Sequence, residues 1–185
     1  MIANHDRSEW FGASDTARII GSWKTQTFAD WWLVKLGVKE SNFTSIAMQT
    51  GTYKEHQILD FLKIRERDRQ IKNPRLRLRV NLDGEDSETV HEVKTYHKGG
   101  FKVSTGYWQQ AQVEMFVTGK RCRIVAYQVT DEDYKNYFLP IEKDRLSFHL
   151  IPYDEVWIKT KYLPRLRYLA DCLRKGIWPD ERMVA

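Results

Sequence analysis

Strict alternation of apolar and polar residues along residues 75–83 is the clearest pattern in the chain. One face of this segment is apolar and comprises Leu76, Leu78, Val80 and Leu82. The opposite face is polar and comprises Arg75, Arg77, Arg79, Asn81 and Asp83. Because successive side chains of a strand point to opposite faces, the pattern predicts a half-buried strand. Turn-forming residues follow at 84–88, and residues 89–96 are predicted to return as the second strand of a hairpin.

Apolar residues at helical spacing predict helices at residues 16–20, 27–36, 46–67, 107–117 and 154–175, the last interrupted near Pro164. The apolar run at 123–129 predicts one more buried strand. This order of elements predicts an α/β fold of mixed α+β character, with a central mixed sheet flanked by helices. Residues 1–185 contain no linker or internal repeat and are predicted to form a single domain.

The composition is that of an ordinary globular protein, with 42% hydrophobic and 30% charged residues. A net charge of +5 favours an anionic partner. Cys122 and Cys172 lack the paired spacing of a zinc or iron–sulfur site and suit a reducing compartment. The N-terminus shows no signal-peptide pattern, and no apolar stretch is long enough to cross a bilayer. We therefore expect a cytoplasmic location and no membrane partner.

The predicted hairpin carries an acid on its first strand and an acid and a lysine on its second. If its turn centres on residues 87 and 88, Asp83 falls opposite Glu92, with Cβ atoms about 5 Å apart. Carboxylates are the ligands that Mg²⁺ prefers, so Asp83, Glu92 and the Val93 carbonyl are candidate metal ligands. Mn²⁺ shares this preference. Lys94 would orient the attacking water or neutralise charge on a phosphate. The alternative is a surface hairpin with solvated charges, because this spacing alone occurs in many unrelated proteins.

Two predicted helices carry further candidates for the same site. Glu55 lies on the helix before the hairpin and could reach the metal, although a solvated helix charge is the simpler interpretation. Gln110 lies on the helix after it and shares a face with Glu114 at i, i+4 spacing. An amide there could hold Lys94 or a phosphate, and an ordinary polar helix surface is the alternative.

Basic residues are concentrated between residues 63 and 79, namely Lys63, Arg65, Arg67, Arg69, Lys72, Arg75, Arg77 and Arg79. Arg75, Arg77 and Arg79 are predicted to share a strand face with Asp83, so they would lead a phosphate backbone toward the candidate metal site. The alternative is an edge strand whose charges protect it against aggregation.

Several segments together resemble a known family. Leu82-Asp83-Gly84 and Glu92-Val93-Lys94 are accompanied, in order, by an arginine-to-serine motif at 7–15, a glycine-and-glutamate helix at 48–55 and a glutamine-bearing helix at 107–119. The combination resembles the PD-(D/E)XK nucleases, in particular the lambda-exonuclease and YqaJ-like viral recombinase branch. Leu82 stands where the family name has proline.

The resemblance implies a restriction-endonuclease-like core and a Mg²⁺-dependent exonuclease that degrades linear double-stranded DNA in the 5′→3′ direction. Such an enzyme leaves 3′ single strands for phage-type recombination in the cytoplasm of a bacterial host cell. The resemblance assigns Arg7 and Ser14 to the terminal 5′-phosphate, Glu55 to the metal site and Gln110 to the catalytic site. It also implies a homotrimeric ring around DNA and a single-strand annealing protein as a partner.

Other functions fit the same residues. An endonuclease or repair nuclease on the same fold would lack a closed pocket for the 5′-phosphate. A CRISPR-adaptation nuclease fits less well, because such relatives carry a four-cysteine iron–sulfur site. A non-catalytic DNA-binding domain would have no need of Asp83, Glu92 and Lys94 together.

Overall fold

A five-stranded mixed sheet forms the centre of the computed structural model, which describes residues 8–40 and 45–184. The strands are Glu66–Arg67 (β1), Gln70–Asn73 (β2), Leu78–Asn81 (β3), Gly84–Glu85 (β4), Thr89–Tyr96 (β5), Arg121–Gln128 (β6) and Leu146–Ile151 (β7). The order across the central sheet is β1-β4-β5-β6-β7, while β2 and β3 form a separate antiparallel pair. Only β5 and β6 are parallel neighbours within the described sheets.

Helices pack around this sheet, which confirms the predicted α/β fold. They are Thr16–Ile20 (α1), Gln26–Lys35 (α2), Ile46–Phe61 (α3), Thr105–Thr118 (α4), Asp131–Lys135 (α5), Glu155–Trp157 (α6) and Leu163–Lys175 (α7). A π-helical turn, Ile158–Tyr162, joins α6 to α7 just before Pro164, where the interruption was predicted. Among residues 8–40 and 45–184, no helix is long and apolar enough to span a membrane.

Local signals account for the elements that match the prediction best. Strand β5 spans the predicted residues 89–96. Helix α4 begins after Ser104, whose hydroxyl accepts the N–H of Tyr107 at 3.2 Å, and it ends at Gly119 with a φ of 67°. A polar cap and a left-handed glycine therefore set both ends of the helix that carries Gln110.

The predicted strand at 75–83 is wrong in its first half. A single 3₁₀ turn, Pro74–Leu76, replaces it, and Arg77 adopts a left-handed φ of 50°. Proline fixes its own φ and lacks an N–H, while the Asn73 side chain accepts the N–H of Leu76 at 3.2 Å. The strand therefore starts at Leu78, and the predicted common strand face for Arg75, Arg77 and Asp83 is not formed.

The predicted helix at 46–67 ends earlier, at Phe61. Lys63 adopts a left-handed φ of 59°, and its N–H bonds to the Asp60 carbonyl. The N–H of Ile64 then bonds to the Leu59 carbonyl, which completes a Schellman cap and turns Ile64 into the core. The residues after the cap form β1 and β2, which the sequence pattern did not indicate.

Strand β5 separates two packed layers beside the candidate site. Val93 packs with Ile58 and Leu59 of α3, whereas Glu92 and Lys94 bond to Gln110 of α4. The predicted alternation of these strand residues is confirmed. Because β4 is only two residues long, the sheet is interrupted beside Glu92. Side chains from both layers can meet in that gap.

Candidate active site

The hairpin register brings the two candidate acids together. Gly84 pairs with His91 and Glu85 with Val90, so one further step places Asp83 opposite Glu92. The turn centres on residues 87 and 88, as predicted, and Asp86 closes it by accepting the N–H groups of Glu88 and Thr89. The sequence-based register is therefore confirmed.

Gly84 permits this arrangement for a steric reason. A Cβ atom at this position would lie 2.7 Å from Cδ2 of Leu59, which is closer than van der Waals contact allows. The end of the Leu59 side chain would have to shift to admit a Cβ atom here. Glycine at position 84 thus lets Leu59 of α3 pack directly against the hairpin.

Asp83 is fixed by the opposite strand. Its Oδ2 accepts the main-chain N–H of Val93 at 2.8 Å. Since the N–H and C=O of one strand residue project to the same edge, the Val93 carbonyl also projects toward this gap. Burial, and then the nearby Glu92 carboxylate, raise the pKa of Asp83 well above its ordinary 3.8.

Glu92, Lys94 and Gln110 form one hydrogen-bonded group. Oε1 of Glu92 accepts from Lys94 Nζ and from Gln110 Nε2, the latter at 2.6 Å. Lys94 Nζ also lies 3.3 Å from Oε1 of Gln110. Burial disfavours the ammonium, but the Glu92 and Asp83 carboxylates outweigh it and raise the pKa of Lys94 above its ordinary value. Lys94 is therefore a firmly protonated cation within a group of acids.

Glu55 lies on α3, near enough to the Glu92 carboxylate for its charge to act on Glu55. Burial, followed by the carboxylates of Glu92 and Asp68, raises the pKa of Glu55 to about 7. The ligand atoms of Glu55, His56 and Asp68 all lie within 4.8 Å of one another. Asp68 was not predicted as a site residue, because it follows the unforeseen end of α3.

The donor set fits a divalent cation. Oε2 of Glu92 is buried and has no hydrogen-bond partner among the described residues. Burial, and then the Glu92 carboxylate, raise the pKa of both Asp83 and Glu55, although the Lys94 ammonium opposes the shift. Carboxylate oxygens with one main-chain carbonyl are the ligands that Mg²⁺ and Mn²⁺ take. A bound cation would relieve the repulsion and satisfy the open oxygen of Glu92.

Glu114 is a member of this group that the sequence did not identify as a site residue. Its side chain is fully buried, and Oε1 accepts from Gln110 Nε2 at 2.8 Å. Burial, and then the Glu92 carboxylate, raise the pKa of Glu114 well above its ordinary 4.5. The i, i+4 spacing to Gln110 was visible in the sequence, but nothing local signalled that both residues face inward.

Ser14 lies in a recess that adjoins Gln110. A cavity of about 100 Å³ is lined by Ser14, Arg79, Asn81 and Gln110, with Trp10 and Lys35 nearby. Main-chain bonds of Phe11 with Arg77 and Arg79 hold this segment against β3. Arg7, the other residue assigned to the 5′-phosphate, lies outside the described residues.

Hydrogen bonds and an ion pair to the Asp15 carboxylate stabilise the loop that carries Ser14. Lys35 Nζ lies 2.7 Å from Asp15 Oδ2, and the Gly12 N–H donates to the same oxygen at 2.8 Å. Trp31 Nε1 donates to the other carboxylate oxygen at 2.8 Å. Asp15 is buried, so these bonds satisfy its charge and fix the turn that presents Ser14.

The basic segment is divided among several roles. Arg67 and Arg69 pair with Asp60 and Glu85. The remaining arginines of the predicted DNA track lie apart from one another: Arg75 is exposed on the 3₁₀ turn, Arg77 lies over the Trp10 ring, and Arg79 lines the Ser14 cavity. Arg79 is thus the member of this group that the structure places beside another predicted site residue.

Comparison with models of protein families gives no match for this sequence, and comparison with curated proteins gives none. Among solved structures, an alkaline exonuclease (LHK-Exo) from Laribacter hongkongensis is similar over 92% of this chain and 94% of its own, with a TM-score of 0.62 and 20% identity. A protein from Eubacterium rectale, named an exonuclease by inference, is similar over 92% of this chain and 83% of its own, with a TM-score of 0.51 and 10% identity. The chain therefore has the fold of these nuclease structures, which confirms at the level of fold the resemblance drawn from its sequence.

Proposed function

We propose that the protein is a metal-dependent deoxyribonuclease that degrades linear double-stranded DNA in the 5′→3′ direction. The observation that carries the proposal is the meeting of Asp83, Glu92 and Lys94 in the gap beside β4. A protonated lysine among oxygen ligands is suited to cleaving a phosphodiester, and a passive DNA-binding surface does not require it. The fold shared with an alkaline exonuclease supports the same conclusion.

Asp83, Glu92, Glu55 and the Val93 carbonyl would hold Mg²⁺, with Mn²⁺ as a substitute of the same ligand preference. When bound, the cation supplies positive charge that polarises the scissile phosphate and makes a water molecule more acidic. The Val93 N–H holds the Asp83 carboxylate at 2.8 Å, so this ligand is oriented before any cation arrives. Of the proposed ligands, Asp83 is thus held in place by the main chain.

Lys94 and Gln110 would act on the reacting phosphate. The ammonium of Lys94 neutralises negative charge that develops on the phosphate oxygens and orients the attacking water by hydrogen bonding. Gln110 accepts from Lys94 and donates to Glu92. Its amide therefore holds the Lys94 ammonium and the Glu92 carboxylate in a fixed arrangement. Lys94 lies on strand β5 and Gln110 on helix α4, so the two residues would approach the phosphate from different elements.

Recognition of a DNA end is assigned to Ser14 and Arg7. The Ser14 hydroxyl would bond to a terminal 5′-phosphate within the cavity, and the Arg7 guanidinium would pair with it. Arg79 lines this cavity, and Arg75 and Arg77 would contact the phosphate backbone further along the duplex. Gln110 lines the cavity and also bonds to Glu92, so the cavity and the candidate active site are contiguous.

The proposal includes 3′ single strands as the product, for use by a single-strand annealing protein in phage-type recombination. It also includes a homotrimeric ring around DNA. These parts are supported by the resemblance of residues 7–15, 48–55 and 107–119 to the viral recombinase branch.

The test is digestion of purified DNA with Mg²⁺ or Mn²⁺. We expect linear duplex with 5′-phosphate ends to be degraded from those ends, closed circular duplex to persist, and a chelator to stop the reaction. Absence of cleavage with either metal would contradict the proposed activity. Equal rates on circular and linear DNA would instead favour an endonuclease on the same fold.

A further inference from the structure

The side chain of Glu114 is fully buried on α4, one turn after Gln110. A carboxyl group is costly to bury unless its oxygens find partners. Both oxygens of Glu114 do so. Oε1 accepts from Gln110 Nε2 at 2.8 Å, and Oε2 lies 3.6 Å from Sγ of Cys122, whose thiol can donate to it. Glu114 therefore links the core strand β6 to the glutamine of the candidate active site.

The orientation of the Gln110 amide depends on this link. Its Nε2 donates to two acceptors, Glu92 Oε1 at 2.6 Å and Glu114 Oε1 at 2.8 Å. Its carbonyl oxygen consequently faces Lys94 Nζ at 3.3 Å. Rotating the amide by half a turn would place its oxygen against the Glu92 carboxylate and its NH₂ group against an ammonium. Glu114 supplies the second acceptor for the Gln110 NH₂ group in the observed orientation.

Cys122 completes the arrangement from the sheet. It is fully buried on β6, where it pairs with Val90 of β5. The Cys122 thiol contacts Oε2 of Glu114, while Gln110 donates to Oε1. Both oxygens of this carboxyl group therefore have a partner that restricts its rotation. The resulting series of contacts runs from Cys122 through Glu114 and Gln110 to Glu92, and Lys94 bonds to the last two.

We propose that Glu114 is a positioning residue of the candidate active site, which holds the Gln110 amide in the one orientation that aligns Glu92 with Lys94. This inference rests on the proposed function, since it assigns Glu114 a role in the same site. Glu114 touches neither substrate nor metal in this proposal and acts through Gln110 and through its own contact with Glu92. Its effect on Glu92 is to keep Oε1 engaged by Gln110 and Lys94, so that Oε2 would be available to a cation.

The test compares Glu114→Gln, which keeps an acceptor oxygen, with Glu114→Met, which has similar length and no acceptor. The matched control is Gln112→Met on the same helix. Gln112 is also fully buried and makes two hydrogen bonds, with the Pro152 carbonyl and the Asp154 N–H, but it anchors the C-terminal segment and not the site. For each protein we would measure kcat and KM on linear duplex, the Mn²⁺ dissociation constant by calorimetry without DNA, and the Tm without metal.

We expect Glu114→Met to lower kcat by about 10–100-fold and to weaken Mn²⁺ binding, with KM for DNA changed less than about twofold. Glu114→Gln should recover kcat to within about threefold, because its oxygen still accepts from Gln110. Gln112→Met should lower Tm but leave kcat and Mn²⁺ binding unchanged. Unchanged kcat and Mn²⁺ affinity in Glu114→Met, or an equal loss in Gln112→Met, would overturn the proposal.

Two provisions keep the test decisive. If Glu114→Met does not fold, Cys122→Ala probes the same contacts from the other end, with an expected fall in kcat of about fivefold; no fall would overturn the proposal.

Calorimetry separates this inference from the proposed function. A wild-type protein that binds Mn²⁺ but cleaves no DNA would refute the nuclease, while the comparison of dissociation constants would still decide the role of Glu114.

Discussion

The main-chain N–H of Val93 donates to the Asp83 carboxylate at 2.8 Å, so the strand that presents Glu92 and Lys94 also fixes the acid opposite them. Hydrogen bonds of main-chain N–H groups to a carboxylate are stronger than bonds between neutral groups. The contact ties a candidate metal ligand to the backbone of a central strand. The candidate site is therefore preorganised by the sheet itself.

Replacing Lys94 with alanine should abolish most DNA cleavage and leave DNA binding intact. The loss of a preorganised charge at the reacting phosphate lowers kcat by about 10²–10³-fold. Single-turnover digestion of linear duplex measures the loss. Lys98→Ala is the matched control, because it removes an exposed lysine from the same region. Cleavage by Lys94→Ala at the wild-type rate would remove Lys94 from the mechanism.

The metal-free protein should become less stable as the pH rises. The pKa of Glu55 is about 7 in the folded protein and ordinarily 4.5. A carboxyl with a raised pKa in the folded state contributes stability that is complete below its unfolded pKa and lost as the pH passes its folded value. The Tm without metal should therefore fall between about pH 4.5 and 7.

Thermal unfolding with and without Mg²⁺ checks this pH dependence. Mg²⁺ should restore the Tm at pH 7, since a cation offsets the repulsion between the ionised acids. Glu55→Gln cannot ionise and should show a smaller fall in Tm over the same interval. A metal-free Tm that rises across this range, or an identical pH dependence in Glu55→Gln, would contradict the electrostatic account of the site.

Ser14→Ala should reduce the preference for 5′-phosphorylated ends over 5′-hydroxyl ends. A hydrogen bond to a charged group contributes about 1.5–3 kcal/mol, so the ratio of kcat/KM for the two ends should fall by at least about tenfold. Competition between the two substrates in one reaction gives this ratio directly. Ser87→Ala, in an exposed turn, serves as the control. A ratio unaffected by Ser14→Ala would exclude Ser14 from end recognition.

The buried pair of Lys54 and Asp133 should stabilise the packing of α3 against α5. Their charged atoms are 2.8 Å apart with both side chains fully buried, and Arg145 pairs with the second oxygen of Asp133 at 2.7 Å. Asp133→Asn leaves Lys54 without its counter-charge and should lower the free energy of unfolding by about 3–5 kcal/mol. Chemical denaturation at neutral pH measures the change, and a loss below about 1 kcal/mol would show that the pair is not important for stability.

The same pair predicts sensitivity to acid. Burial disfavours the Asp133 carboxylate, but hydrogen bonds from Lys54, the Thr130 N–H and Arg145 outweigh it and lower its pKa from 3.8 to about 2. The stability gained from a lowered pKa is complete above the unfolded value and is lost as the pH falls through the folded value. Unfolding of the wild type should therefore become easier between about pH 4 and 2, and Asp133→Asn should lack this component.

Sequence patterns identified the hairpin and its register because both depend on local rules. Alternation fixes which side chains share a face, and the position of the turn fixes which residues lie opposite each other. The end of α4 at Gly119 follows the same local rule, whereas the sequence pattern placed the start of this helix at residue 107, after its true cap at Ser104. Asp83, Glu92 and Lys94 could therefore be placed together from the sequence alone.

The misplaced and missing parts depend on contacts distant in sequence. Lys63 ends α3 in a left-handed conformation that usually favours glycine, so no local signal marked the end. Glu114 looks like a surface acid until α4 packs on β6. Pro74 is different: its fixed φ could have corrected the start of the strand, and the regular alternation around it obscured that signal.

The short connection between β4 and β5 determines the geometry of the candidate site by its length. Asp86 closes this turn by accepting two main-chain N–H groups, and the register that follows sets Asp83 opposite Glu92. Inserting one residue here would shift the pairing and present the opposite face of the strand, although every side chain of the site would still be encoded. The spacing between the two acids is therefore under as strict a constraint as their identity, and natural variants of this protein should tolerate substitutions in this turn far better than changes in its length.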